Sequence, residues 1–209
     1  MKTGIKLIIL LLMIISFTSC TNKNSDSKNK EKESSIFSDK AKQKLMAEGK
    51  VITQKTLAVF QKNLKTAIKN GGIDNAINYC HKKAMYLTDS ISHVTGVKIQ
   101  RIAKKNRNPF NFLNQQEEKV FNEYEKEIHL KKAVQPKILV NKKGNPVYYA
   151  PIRISKDVCL KCHGTPGKDL PKKRVAKIKE YYPEDKAINF KKGDLRGLWA
   201  ITFPLNRAN

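Results

Sequence analysis

Apolar residues recur at helical spacing from Asp39 to about Asn70, through Leu45, Val51, Leu57, Val59, Phe60, Leu64 and Ile68. That loose stripe predicts an amphipathic helix. Gly71-Gly72 ends it. A second helix is predicted from about Ile73 to Ile91, with Ile73, Ala76, Ile77, Cys80, Ala84, Leu87 and Ile91 on one face. Cys80 therefore points inward, while His81 falls on another face with Asp74, Asn78 and Met85. Val97 to Ala103 reads as a strand, followed by the turn-rich Asn106 to Asn111. A mostly polar helix is predicted from about Gln115 to Ile128. Lys137 to Asn141 and Val147 to Ile154 form a hairpin about Lys143-Gly144-Asn145. Residues 168–192 read as basic loop plus a short helix, and Leu198 to Pro204 as a last strand. Gly193 to Gly197 reads as a turn into that strand. Helices first and antiparallel strands after give the α+β class.

The N-terminus has a different pattern. Met1-Lys2 and Lys6 precede an apolar run from Ile5 to Phe17, too short to span a bilayer comfortably. It ends in Phe17-Thr18-Ser19-Cys20, which resembles a bacterial lipobox with Phe where Leu is usual. Residues 1–19 are thus expected to be a lipoprotein signal peptide, with Cys20 as the lipidated N-terminus. An uncleaved anchor and ordinary secretion are the alternatives. Residues 20–38, rich in Asn, Ser, Lys and Glu, read as a disordered tether, and 39–209 as the folded domain. The expected location is extracytoplasmic, lipid-anchored to a bacterial membrane on the periplasmic side.

That placement changes the meaning of the charge. The 209 residues carry 42 Lys+Arg against 18 Asp+Glu, a formal net charge of +24. Such an excess favours anionic partners, but export excludes nucleic acid. Hydrophobic residues at 40% suffice for a core, and four cysteines are too few for a disulfide scaffold. The basic stretch from Lys168 to Lys179 leaves an acidic redox or signalling protein as a candidate partner, with a plain solvated loop as the alternative. No triad, paired carboxylates or phosphate loop points to an enzyme.

Cys159-Leu160-Lys161-Cys162-His163 matches the C-x-x-C-H signature of covalent haem c attachment. Two thiols two residues apart can reach both vinyl groups of one haem, and the adjacent histidine can ligate iron. A thioredoxin-like thiol pair would need a strand–helix context that the pattern lacks. A zinc site would need two further ligands, which only Cys80 and His81 could supply from diverging directions. For the second axial position the candidates are His81, His93, His129, Met46, Met85 and Cys80, and Cys80 alone reads equally as a small buried hydrophobe. Haem propionates need cationic or amide partners. Arg101 and Arg107 are the best candidates, with Asn108 and Asn111 helping, and a surface ion pair is the alternative for each arginine.

Several segments together resemble the PAS-like c-type haem domains found in cyanobacteria and as sensory parts of some histidine kinases. They are Ala76 to Ala84 around Cys80; Arg101-Ile102-Ala103 with Arg107 to Asn111 and Glu117 or Glu118; Tyr149 to Ile152 leading into Cys159 to Gly164; and Tyr182-Pro183, Ala187 and Gly193 to Gly197. Ala103, Phe112-Leu113 and the basic insertion at 168–179 depart from the pattern. The resemblance implies a PAS-like antiparallel sheet flanked by helices and one covalent haem with His163 and Cys80 as axial ligands. It implies a redox or small-ligand sensor, in which Cys80 leaves the iron on reduction. An electron-transfer cytochrome is the alternative, and a haem-free zinc-binding or structural lipoprotein the third reading.

Overall fold

The computed structural model describes residues 38–208. The signal segment and Cys20 lie outside the described residues, as does the tether except Ser38. Helix α1 spans Asp39–Thr95 and begins at Ser38, whose hydroxyl accepts the Ala41 N–H at 3.2 Å. It is broken at Gly71 and Gly72. Gly72 has φ +70° and ψ −168°, a region that side chains other than glycine's avoid. Nothing lies within 4 Å of where its Cβ would be, so backbone conformation and not packing calls for glycine. Asn75 closes the break by donating to the Ala67 carbonyl at 2.8 Å. No helix among the described residues is long and apolar enough to cross a membrane.

Strands β1 (Lys98–Ile102), β2 (Lys137–Val140), β3 (Pro146–Arg153) and β4 (Leu195–Thr202) form one antiparallel sheet in the order β1-β4-β3-β2. Helix α2 spans Gln115–His129, α3 Asp157–His163 and α4 Lys172–Tyr181. The expected α+β class is what the chain adopts. Side chains alternate across the sheet, as its pleat requires. Tyr148, Ala150, Trp199 and Ile201 pack with Leu45 and Ile52 of α1. Val147, Tyr149, Leu198 and Ala200 pack with Val120, Phe121 and Tyr124 of α2.

Two expectations need correction. The buried face of the first α1 arm is Leu45, Gly49, Ile52 and Thr56, which keeps Leu45 of the predicted stripe, with Phe60 packed at its edge, but not the rest. Val51, Leu57 and Val59 stay 46%, 40% and 37% exposed. The true face hides from a hydrophobicity count because two of its positions are Gly and Thr. Gly49 is needed there, since a Cβ would stand 2.5 Å from the Tyr148 ring. The last strand also begins earlier than expected. Leu195 to Gly197 pairs with β3 beyond a bulge at Ile152/Arg153 instead of turning. A Cβ on Gly197 would come within 2.7 Å of the Ile102 carbonyl oxygen, so the glycine permits close backbone approach inside the strand.

Tyr124 is fully buried and donates its hydroxyl to the carbonyls of Gln135 (2.9 Å) and Tyr149 (3.2 Å). Burial raises its pKa, and those of Tyr149 and Tyr182, above the ordinary 10.0. The folded state therefore keeps protons that the unfolded chain releases above that value. Stability is expected to fall as pH rises past about 10. Tyr124→Phe should lose about 1 kcal/mol at neutral pH, one net hydrogen bond, and show a shallower alkaline decline. Denaturant titrations at neutral and alkaline pH check both; equal alkaline slopes would show that Tyr124 does not contribute.

Candidate functional site

The cysteine-rich motif forms the short helix α3, which places its two thiols against different neighbours. Cys159 packs by Ile154, Ala187 and Phe190, and Cys162 by Ile77, Leu170 and Ile178. Ile77 lies on the second arm of α1, one turn before Cys80. The two elements thus meet, and Cys80 and Cys162 come within electrostatic reach of each other. Burial pushes the Cys162 thiol up to about 11, against the pull of Arg107. Burial likewise raises Cys80, with Arg101 and Arg107 opposing. The inward direction expected for Cys80 is the one observed.

His163 is the most closely held group of the site. Its Nδ1 lies 2.9 Å from the Ala187 carbonyl oxygen, and its ring meets Phe190 edge-on at 6.2 Å. Arg196 Nε lies 3.4 Å from the same nitrogen. One nitrogen cannot donate to the carbonyl and accept from the guanidinium. The shorter contact prevails, so Nδ1 carries the proton and Nε2 presents a free lone pair. Burial first, then Arg196 and Arg107, hold the imidazole pKa well below its usual value, so the ring is neutral.

Arg107 ties these parts together. It makes a two-pronged pair with Asp185 (3.1 and 3.2 Å) and donates to the carbonyls of Cys162 (2.7 Å) and Ala187 (3.3 Å). Arg101 lies over the Phe60 ring at 4.3 Å, and its guanidinium makes no hydrogen bond to a described residue. Arg196 donates to the Lys105 carbonyl at 3.2 Å and has no carboxylate partner among the described residues. Burial and Arg107 push it down to about 9. A guanidinium keeps its proton in proteins, so such a shift marks a place short of negative charge. Of the three arginines only Arg107 pairs with the buried carboxylate of Asp185, and the site has room electrostatically for an anion.

The remaining candidates are placed less centrally. Asn108 caps the short 3₁₀ turn Pro109–Asn111 by accepting from Phe110 N at 3.0 Å, and its amide nitrogen donates to the Met85 sulfur at 2.7 Å. Asn111 uses its backbone, accepting from Ala103 N at 3.0 Å. His81 is exposed, stacked on Tyr181 at 4.7 Å and edge-on to Tyr182 at 5.3 Å. His93 and His129 stand in the last turns of α1 and α2, and Met46 packs with the core between α1 and the sheet. Among the described residues no three His, Cys, Asp or Glu side chains are grouped to hold a metal ion. The Cys80–His81 pair thus does not complete a zinc site with the motif thiols.

Two residues of the site escape a reading of the sequence. Arg196 falls in the segment expected to turn, yet it lies in β4; an arginine inside an apolar run from Leu195 to Phe203 is its one signal. Asp185 has no local signal, because its partner Arg107 is 78 residues away in sequence.

A family model described as Tll0287-like, for Tll0287, matches residues 35–204. Among solved structures, the crystal structure of the cyanobacterial heme-protein Tll0287 is similar at 28% identity. The match covers 57% of this chain and 68% of that one, with a TM-score of 0.47. No curated protein matches. With nearly all of its described residues matched, the chain belongs to the Tll0287-like family.

Proposed function

We propose that this protein is a lipid-anchored, extracytoplasmic monohaem c protein that senses redox state or a small ligand. The observation that carries the reading is the approach of Cys162 to Cys80 beside Arg101 and Arg107, the arginines that together with Arg196 also act on the buried His163 of the same motif. The family's namesake, described as a cyanobacterial heme-protein, supports it. Cys159 and Cys162 would hold the haem through thioether links, His163 Nε2 and the Cys80 thiolate would ligate its iron, and Arg101 and Arg196 would neutralise its propionates. Haem supplies the iron and its one-electron couple. The fold around it is read as PAS-like.

Sensing is favoured over simple electron transfer by the place of Cys80. It sits on the arm of α1 that follows the Gly71-Gly72 break, so that arm has a backbone joint about which to move when the thiolate leaves. Ferrous iron holds thiolate weakly, which makes reduction the natural trigger. A partner must read the movement. Lys168, ahead of α4, and Lys172 and Lys173, in its first turn, are exposed, whereas Arg174 is engaged by Asp74 and Lys177 by Glu180. An acidic protein surface would fit them.

The test is expression with a cytochrome c maturation system. We expect one haem per chain that stays with the polypeptide after denaturation and acid–acetone extraction. A colourless protein, or haem that extracts freely, would refute covalent attachment.

A further inference from the structure

We infer that Asp185 is a positioning residue that fixes the plane and the tautomer of the His163 imidazole. The inference rests on the haem reading above. Asp185 is one of the few buried charged residues, with a side chain only 1% exposed. A carboxylate so buried is costly unless its oxygens are satisfied. An ion pair with Arg107 would need only the two contacts at 3.1 and 3.2 Å. Asp185 makes a third, accepting the Ala187 N–H at 2.9 Å. Ala187 is the residue whose carbonyl takes the His163 Nδ1 proton. Asp185 thus holds the acceptor directly through the Ala187 amide. It also holds it indirectly, because the Arg107 that it orients donates both to the Ala187 carbonyl and to the Cys162 carbonyl.

The need for such a hold lies on the other side of the ring. Arg196 Nε waits 3.4 Å from Nδ1 as a competing donor. Were the Ala187 carbonyl to move away, Arg196 would favour the tautomer with Nδ1 unprotonated. The proton would then sit on Nε2, the nitrogen that must be free to bind iron. Asp185 touches neither the ring nor the expected metal, yet its removal shifts the balance between these two partners of one nitrogen.

The experiment uses the purified haem-loaded protein and ferric electron paramagnetic resonance. Wild type should give a single low-spin signal. Asp185→Asn removes the carboxylate charge that pairs with Arg107 and weakens the hold on Ala187. Asp185→Glu keeps the charge but displaces the carboxylate by one methylene. Both should retain covalent haem and show a broadened or split low-spin signal with an added high-spin fraction. Glu184→Gln, the same charge change on an exposed neighbour, should leave the signal unchanged. A wild-type signal in both Asp185 variants would overturn the inference, as would equal broadening in Glu184→Gln. If Asp185→Asn does not fold, the Asp185→Glu signal decides alone. Wild-type protein without covalent haem would overturn the haem reading itself, and this inference with it.

Discussion

Cys80→Ser is expected to leave haem covalently attached while abolishing the thiolate features of the oxidised spectrum and raising the reduction potential. Attachment depends on Cys159 and Cys162, which the substitution does not touch. A serine hydroxyl keeps its proton near neutral pH and is a poor iron ligand, so strong electron donation is lost and the ferric state loses its main support. The surroundings of Cys80 on balance disfavour its free anion. Burial raises the pKa of the free thiol, but Arg101 and Arg107 act against that rise. Arg101 has no hydrogen-bonded acid among the described residues to cancel its charge. The fold should survive, with a stability change of about 1 kcal/mol, because serine is close in size and the position is only half-buried. Spectra of both oxidation states, with potentiometry, decide the matter. If the variant's spectra match wild type, Cys80 is a core residue and the sensor reading loses its switch.

Gly49→Leu should destabilise the packing of the helix that carries Cys80. The ring of Tyr148 stands 2.5 to 2.9 Å from an added Cβ, and Tyr148 is 1% exposed. The ring cannot swing aside without disturbing Ile138, Ala150 and Ile201 around it. Overpacking of this kind costs about 1–3 kcal/mol. Replacing glycine in a helix returns up to about 1 kcal/mol, so the net loss should approach 2 kcal/mol. Tyr148→Ala should cost more, about 3–5 kcal/mol, through the cavity that it leaves. The two should not add. In the double variant the leucine fills part of the space vacated by the ring, and a coupling of about 1 kcal/mol or more is expected. Urea titrations of the four proteins measure it. Strict additivity would mean that α1 does not lie on Tyr148.

The two predictions differ in how readily the sequence announces them. Cys80 stands on a face with Ala76, Ile77 and Ala84, and its spacing alone turns it inward, as observed. Cys159, Cys162 and His163 are legible from motif spacing within a single turn and a half of helix. Such features depend on neighbours three or four residues apart, and helical geometry is the same in any context. The hairpin of β2 and β3 and the limits of α2 are readable on the same local grounds.

What fails to show in the sequence depends on partners far along the chain. Gly49 looks like a fault in an apolar stripe until Tyr148 is placed beneath it. Arg196 looks like turn chemistry until β4 enters between β1 and β3, which sets it beside His163 and the Lys105 carbonyl, 91 residues away. Asp185 has no meaning apart from Arg107. Local periodicity settled the longer helices, the hairpin and the spacing of the cysteine motif, because hydrogen bonding along a helix or across a hairpin is satisfied within a few residues. The electrostatic site was decided only in three dimensions. Burial strengthens charges when elements from opposite ends of the chain exclude water together, and no stretch of sequence carries that property alone.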